Sequence, residues 1–320
     1  MTFANIYNEG MLKLAVLLAL CAPASAAPPN PKSFSSFSFD ASRPAAERIA
    51  DMPRWLVKWW SEADGAPHYR SYRPTAAERR VWSQAVEGLP ARMRAVLDER
   101  LIAAYFVSGL KGNGITDWAL DSSSRVYVYM VFNPASFQQT LSQTLTQRER
   151  SVFRGKAAVS IDAGKGGSGM LYSVAHESAH AFDYVEGLTP YTDGGVAEAL
   201  SRPTGVSWDV WDSYWQPRPE NDFPLRSSLH FYGFSSPSLK ASQAAQVYAQ
   251  LSSSPFASLY GSVNWADDAA DLFVFYHLTV ALGRPYRIQL RGPGGIRTAA
   301  EPMSNPRVRD RAAKILAPIY

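Results

Sequence analysis

The sequence predicts an α+β fold built as one domain, and three observations lead there. Runs at residues 101–110 and 126–133 are rich in β-branched and aromatic residues and read as strands, while the segments around them carry apolar residues at helical spacing. Hydrophobic residues make up 46% of the chain and charged residues 19%, enough to bury a sizeable core and too apolar for a disordered chain. No internal repeat or biased stretch divides residues 45–320.

Taken in order, the first element is an export signal at residues 1–26. Lys13 precedes the apolar run Leu14 to Leu20, and Ala24-Ser25-Ala26 follows as a small-residue cleavage site. The run is too short to span a bilayer, and no later run approaches ~18 apolar residues. The one cysteine, Cys21, lies inside the signal, so the mature chain is expected to carry neither a disulfide nor a thiolate metal cluster. A lipoprotein signal would carry a small residue where Leu20 stands. The expected location is periplasmic or secreted.

Residues 27–44, rich in Pro, Ser and Phe, read as a poorly ordered lead-in. Helices are predicted over residues 45–60, 75–87 (with Thr75 at a capped start), 90–99 and 134–148. Residues 157–162 read as a short strand. A glycine loop follows, then a helix over residues 169–185. Residues 187–254 mix Pro, Gly, Trp and Ser without a clear period. Beyond them a helix is expected over residues 265–281, a strand over 286–290 and a helix over 307–316.

The motif that carries chemistry is His176-Glu177-Ser178-Ala179-His180. Histidines four apart lie about 40° apart around a helix axis, so both imidazoles can reach one ion. Glu177 is displaced by one residue and can face a water on that ion. A catalytic zinc needs such neutral imidazoles, a third protein ligand and one open position. Chance placement of five histidines produces this pattern in about three chains per thousand. Two regions compete for the third ligand. Glu186, six residues after His180, has the metzincin spacing, but Asp183 occupies the place of the helix-ending glycine and Met303 is a poor methionine turn. The other region is the helix with Asp267, Asp268 and Asp271. Asp267 and Asp271 share a face, so one can bind metal while the other orients a ligand histidine, whereas Asp268 points about 100° away from Asp267.

Val174-Ala175-His176-Glu177-Ser178-Ala179-His180-Ala181-Phe182-Asp183-Tyr184 resembles the zinc helix of the anthrax-lethal-factor-like, gluzincin-type metallopeptidases, with their His-Glu-x-x-His-Ala-x-Asp pattern. Tyr260-Gly261-Ser262-Val263-Asn264-Trp265-Ala266-Asp267 and Ala270-Asp271-Leu272-Phe273 are similar to that family's second motif. The family has glutamates where Asp267 and Asp271 stand. The resemblance implies a zincin-like fold, a small mixed sheet with an active-site helix and a second, carboxylate-bearing helix. It implies His176, His180 and Asp267 as zinc ligands, Glu177 as general base, Tyr260 as a transition-state hydrogen-bond donor and Asp271 as the group orienting a ligand imidazole. It also makes residues 157–162 an edge strand able to pair with an extended peptide.

The remaining features have plainer readings. The glycine loop at residues 164–169 lacks the Gly-Lys-Ser/Thr ending of a phosphate loop and reads as a connection. Trp208, Trp211 and Trp215 fall at helical spacing and read as packing. His230 and Tyr232 are further candidates to reach the site, with His230 as an alternative oxyanion donor. His68 and His277 read as structural. The net charge of +4 is mild, and the basic C-terminal stretch lacks a nucleic-acid module, so no nucleic-acid partner is expected. The expected function is an exported zinc-dependent metallopeptidase acting on a peptide or protein substrate. The competing readings are a catalytically inactive zincin-like binding module and a zinc hydrolase of another amide, such as a cell-wall peptide.

Overall fold

The computed structural model describes residues 28–191, 205–292, 294–317 and 319–320. The export signal lies outside the described residues. Helices and strands mix without βα alternation, so the fold is α+β.

Four strands form the main sheet: β1 (Arg70–Ser71), β2 (Leu101–Ser108), β3 (Gly114–Leu120) and β4 (Val126–Phe132), in the order β1-β2-β4-β3. β2 runs parallel to β4, and β1 and β3 are antiparallel to their neighbours. β2 and β4 read as unbroken apolar runs because both faces are covered. Ala104, Phe106, Met130 and Phe132 enter the main core, while Tyr105, Val107, Tyr129 and Val131 enter a second one on the opposite face.

That second core corrects the expectation for residues 27–44. The described part runs along the sheet. Ser33 bridges to Leu120, Phe34 stacks on Tyr127 at 4.1 Å, and Phe37 meets Tyr129 at 5.1 Å. The phenylalanines of the segment are its anchors. The helix expected at residues 45–60 is also broken. Ala45–Glu47 is a 3-10 turn, and Pro53, which lacks an N–H, lets α1 (Arg54–Ala63) start only after it.

On the main-core face lie α2 (Ala76–Glu87), α3 (Ala91–Arg100) and α6 (Gly169–Glu186). Thr75 and Glu78 close a capping box at the start of α2. The helix expected at residues 134–148 divides into α4 (Ala135–Gln138) and α5 (Leu141–Arg150). Gln139 and Thr140 are extended, and Thr140 caps α5 in a second box with Gln143. β5 (Phe153–Arg154) pairs with β7 (Leu239–Lys240). β6 (Val159–Asp162), β8 (Arg287–Gly292) and β9 (Gly295–Ala300) form a small antiparallel sheet. Three further helices complete the described fold: α7 (Ala244–Ser252), α8 (Trp265–Tyr276) and α9 (Pro306–Leu316). β3 and β9 are strands that the sequence did not announce.

The tryptophans at 208, 211 and 215 do not share a helix. Only Gly205–Ser207 is helical there, as a 3-10 turn. Trp211 is buried and donates its indole N–H to Asp268 at 2.8 Å, while Trp208 and Trp215 are exposed. His68 makes a surface contact with the Gly109 carbonyl.

His277 is buried at the end of α8, stacked on Phe273, with its Nδ1 2.5 Å from the Tyr320 hydroxyl. Burial pushes its imidazole down to about 4. Its ordinary value is 6.5, so between about 6.5 and 4 the unfolded chain binds a proton that the fold refuses. The contribution is intact above that window and is lost as pH falls through it. At ~1.4 kcal/mol per pKa unit the loss reaches about 3 kcal/mol. His277→Leu is expected to shrink the drop in melting temperature between pH 7 and pH 4.5, and equal drops in both proteins would refute this.

Candidate metal centre

α6 carries the His-Glu-x-x-His motif in its middle. Ser168 caps its start by accepting from the Met170 N–H, and Gly187 ends it in the left-handed region at φ 70°. His176 and His180 project from one face, with their Nε2 atoms 3.2 Å apart. α8 packs against α6 and supplies the third group. Asp267 Oδ1 lies 3.4 Å from each of those nitrogens. His176, His180 and Asp267 thus form a group that can hold a metal ion.

Asp267 is aimed by the residue that starts its helix. The Asn264 side-chain Oδ1 accepts the Asp267 N–H at 2.9 Å, and its side-chain amide donates to Asp267 Oδ2 at 2.6 Å. One carboxylate oxygen is therefore occupied, and Oδ1 is left to face the imidazoles. One turn on, Asp271 Oδ1 sits 3.0 Å from His176 Nδ1. In the neutral imidazole that a metal requires, this contact makes Nδ1 the donor and turns the Nε2 lone pair towards Asp267 and His180. Asp271 Oδ2 accepts from Arg148 at 2.8 Å and from the Ser258 hydroxyl. Arg148 is fully buried and also donates to Tyr172 at 2.6 Å and Glu149 at 3.1 Å.

The local charges favour a cation. Burial alone would lower the His176 pKa, but Asp267 and Asp271 beside it push it up to about 10. Burial opposes ionisation of Asp267, yet the two imidazoles hold its carboxyl well below the usual range. Asp271 is held down likewise against burial, by Arg148 and His176. A positive charge between these carboxylates is thus strongly stabilised.

Glu177 lies on the adjoining face of α6 and is buried. Burial raises its carboxyl above the usual range, with His176 and His180 opposing the shift. The Thr116 hydroxyl on β3 donates to Glu177 Oε2 at 2.8 Å. β3 passes so close that a methyl group on Gly114 would sit 2.8 Å from Glu177 Cγ and Oε1. A cavity of about 220 Å³ opens here, lined among others by Thr116, Glu177, His180, Tyr260 and Asp267. The Tyr260 ring is 5.6 Å from that of His176, held between Phe231 and Tyr232. Its hydroxyl has no hydrogen-bond partner among the described residues. Tyr232 holds an unusual φ of 55° and accepts from the Asn113 amide at 2.9 Å.

The competing ligand candidates are engaged elsewhere. Glu186 pairs with Arg92 at 2.9 Å. Asp268 faces away from the imidazoles and binds Arg311 and the Trp211 indole. Asp183 accepts from Thr189. His230 does not line the cavity. The strand beside the site is also not the one expected. β6, within residues 157–162, is an edge strand as expected, but of the small sheet, where it pairs with β8, whereas β3 is the main-sheet edge that meets α6. Sequence reasoning missed Gly114, Thr116, Arg148 and Ser258, and gave Asn264 a place in a motif but no role. Only Asn264 left a usable signal, a helix-capping residue directly before an apolar helix.

Comparison with protein-family profiles, with curated proteins and with solved structures finds no match to this chain.

Proposed function

We propose that this chain is an exported zinc metallopeptidase with a zincin-like fold. One observation carries the reading. The three ligand atoms are separated by 3.2, 3.4 and 3.4 Å. Around a tetrahedral zinc with bonds of ~2.0–2.1 Å, ligand atoms stand about 3.3–3.4 Å apart. The donor set, two imidazoles and one carboxylate, leaves the fourth position open, as a catalytic site requires. Bound there, zinc would polarise a substrate carbonyl and acidify a water. The rest of the chemistry belongs to the chain. Glu177, with its proton affinity raised by burial, takes the water's proton and passes it to the leaving amine. Thr116 holds the carboxylate in place while it does so. Tyr260, with its hydroxyl uncommitted, donates to the oxyanion of the tetrahedral intermediate. Short of Leu120, whose N–H donates to the Lys32 carbonyl, the outer edge of β3 offers backbone groups to an extended peptide. Export is supported by the charged, apolar and small-residue order of residues 13–26.

Metal analysis tests the reading directly. Protein purified from zinc-replete medium is expected to hold about one zinc per chain, and the His176→Ala, His180→Ala double variant to hold none. Metal-free wild-type protein would refute the proposal. A second expectation concerns Gly114. In Gly114→Ala the added methyl must push the Glu177 carboxylate off Thr116, so peptide cleavage is expected to fall at least ~10-fold with zinc content unchanged. Undiminished cleavage by that variant would show that the carboxylate position is not critical.

A further inference from the structure

Beside the metal centre a second, larger cavity of about 480 Å³ opens between α1, β3 and the last turns of α6. It shares Thr116, His180, Tyr184, Tyr214 and Ala266 with the smaller cavity, so the two adjoin. Its walls are aromatic: Trp59 and Trp60 from α1, Trp118 from β3, Tyr184 from α6, and Tyr191 and Tyr214. Trp118 and Tyr191 meet edge to face at 5.5 Å. The acids in the cleft are already satisfied from within. Asp117 is paired with Lys32 at 2.6 Å and accepts from Tyr129 at 2.7 Å, and Asp183 accepts from the backbone and hydroxyl of Thr189. Lys32 in turn sits over the Trp118 ring at 4.0 Å. What the cleft offers an incoming group is therefore ring surface rather than free charge.

We infer that this cleft is a specificity pocket for a bulky aromatic side chain of a peptide whose backbone crosses the metal site. The inference rests on the peptidase reading and names its substrate class. A peptide lying along β3 with one carbonyl at the metal centre has a neighbouring side chain beside His180, where the cleft begins. Offset and edge-to-face contacts with the surrounding rings then select an aromatic residue over an aliphatic one of smaller area. The volume accommodates the largest side chains.

The test separates recognition from cleavage. Glu177→Gln protein, full-length after signal removal and loaded with zinc, is titrated with blocked hexapeptides that carry Phe, Trp, Leu, Ala, Arg or Asp at each position in turn. At one position Phe or Trp is expected to bind at least ~10-fold more tightly than Ala, since even one methylene in an apolar pocket is worth that much. Trp118→Ala is expected to erase the preference while leaving zinc content unchanged. Tyr184→Ala, on the facing wall, gives the same reading if the strand variant does not fold. Tightest binding of the Arg peptide, no aromatic preference, no binding at all, or a preference that survives both variants would overturn the inference. Wild-type protein incubated with the same peptides tests the other reading. Aromatic preference without cleavage refutes the peptidase and keeps the pocket, whereas cleavage without preference refutes only the pocket.

Discussion

Glu177→Gln is expected to hold zinc as wild type does and to lose at least ~10²–10⁴-fold of its peptide hydrolysis, the usual share of a general acid–base group. The substitution keeps the shape of the side chain and a carbonyl oxygen to accept from Thr116, so the fold around β3 and α6 stays intact. It removes only the ability to take a proton. Burial, which raises the Glu177 carboxyl, makes it a stronger acceptor for a proton from water. The measurement is a mixed peptide library digested by both proteins, with metal content determined on the same samples. Cleavage equal to wild type would remove Glu177 from the mechanism. Loss of zinc together with activity would show that its role is in holding the site.

The second large effect concerns the carboxylates of α8. Asp267→Ala is expected to weaken zinc binding well beyond ~100-fold, because it deletes a ligand atom. Asp271→Ala is expected to cost ~10–100-fold, because it releases the His176 ring without removing a ligand. Glu186→Ala and Asp268→Asn are expected to leave zinc affinity nearly unchanged, since Arg92 holds the first and Arg311 and Trp211 hold the second. Asp267→Glu decides a further point. With the short side chain in place, Oδ1 already lies 3.4 Å from both imidazole nitrogens. α8 therefore sits close enough that no extra methylene is needed. The longer side chain is expected to crowd the ion and to lower affinity, although glutamate is what the resembling family carries there. Competition titrations with a zinc chelator read all five proteins. An Asp271→Ala loss equal to or larger than that of Asp267→Ala would reverse the two roles.

Much of this site was legible in the sequence. Two histidines and a glutamate on an apolar-faced helix fix their own geometry, because residues four apart share a helical face whatever surrounds them. Asp267 and Asp271 were legible as a pair for the same reason. The caps at Thr75 and the unbroken apolar runs of β2 and β4 likewise signal their structure locally.

The rest depended on contacts between distant segments. β3 is an edge strand of mixed composition, Gly-Ile-Thr-Asp-Trp-Ala-Leu, with no strong period. Its value to the site lies in Gly114 and Thr116 meeting Glu177, a contact that no local pattern announces. Arg148 reads only as the end of a helix, and becomes a buried support because α8 brings Asp271 against it. Ser258 acts through the same carboxylate.

From the sequence come the candidate chemistry on α6 and the acids from which a third ligand could come. The packing of the helices adds which of those acids faces the two imidazoles. Asp267 and Asp268 are chemically identical neighbours, and about 100° of helix rotation sends one to the imidazoles and the other to Arg311 and Trp211. Periodicity tells which residues share a face of a helix. The packing of α8 against α6 and α9 alone tells what each face will meet.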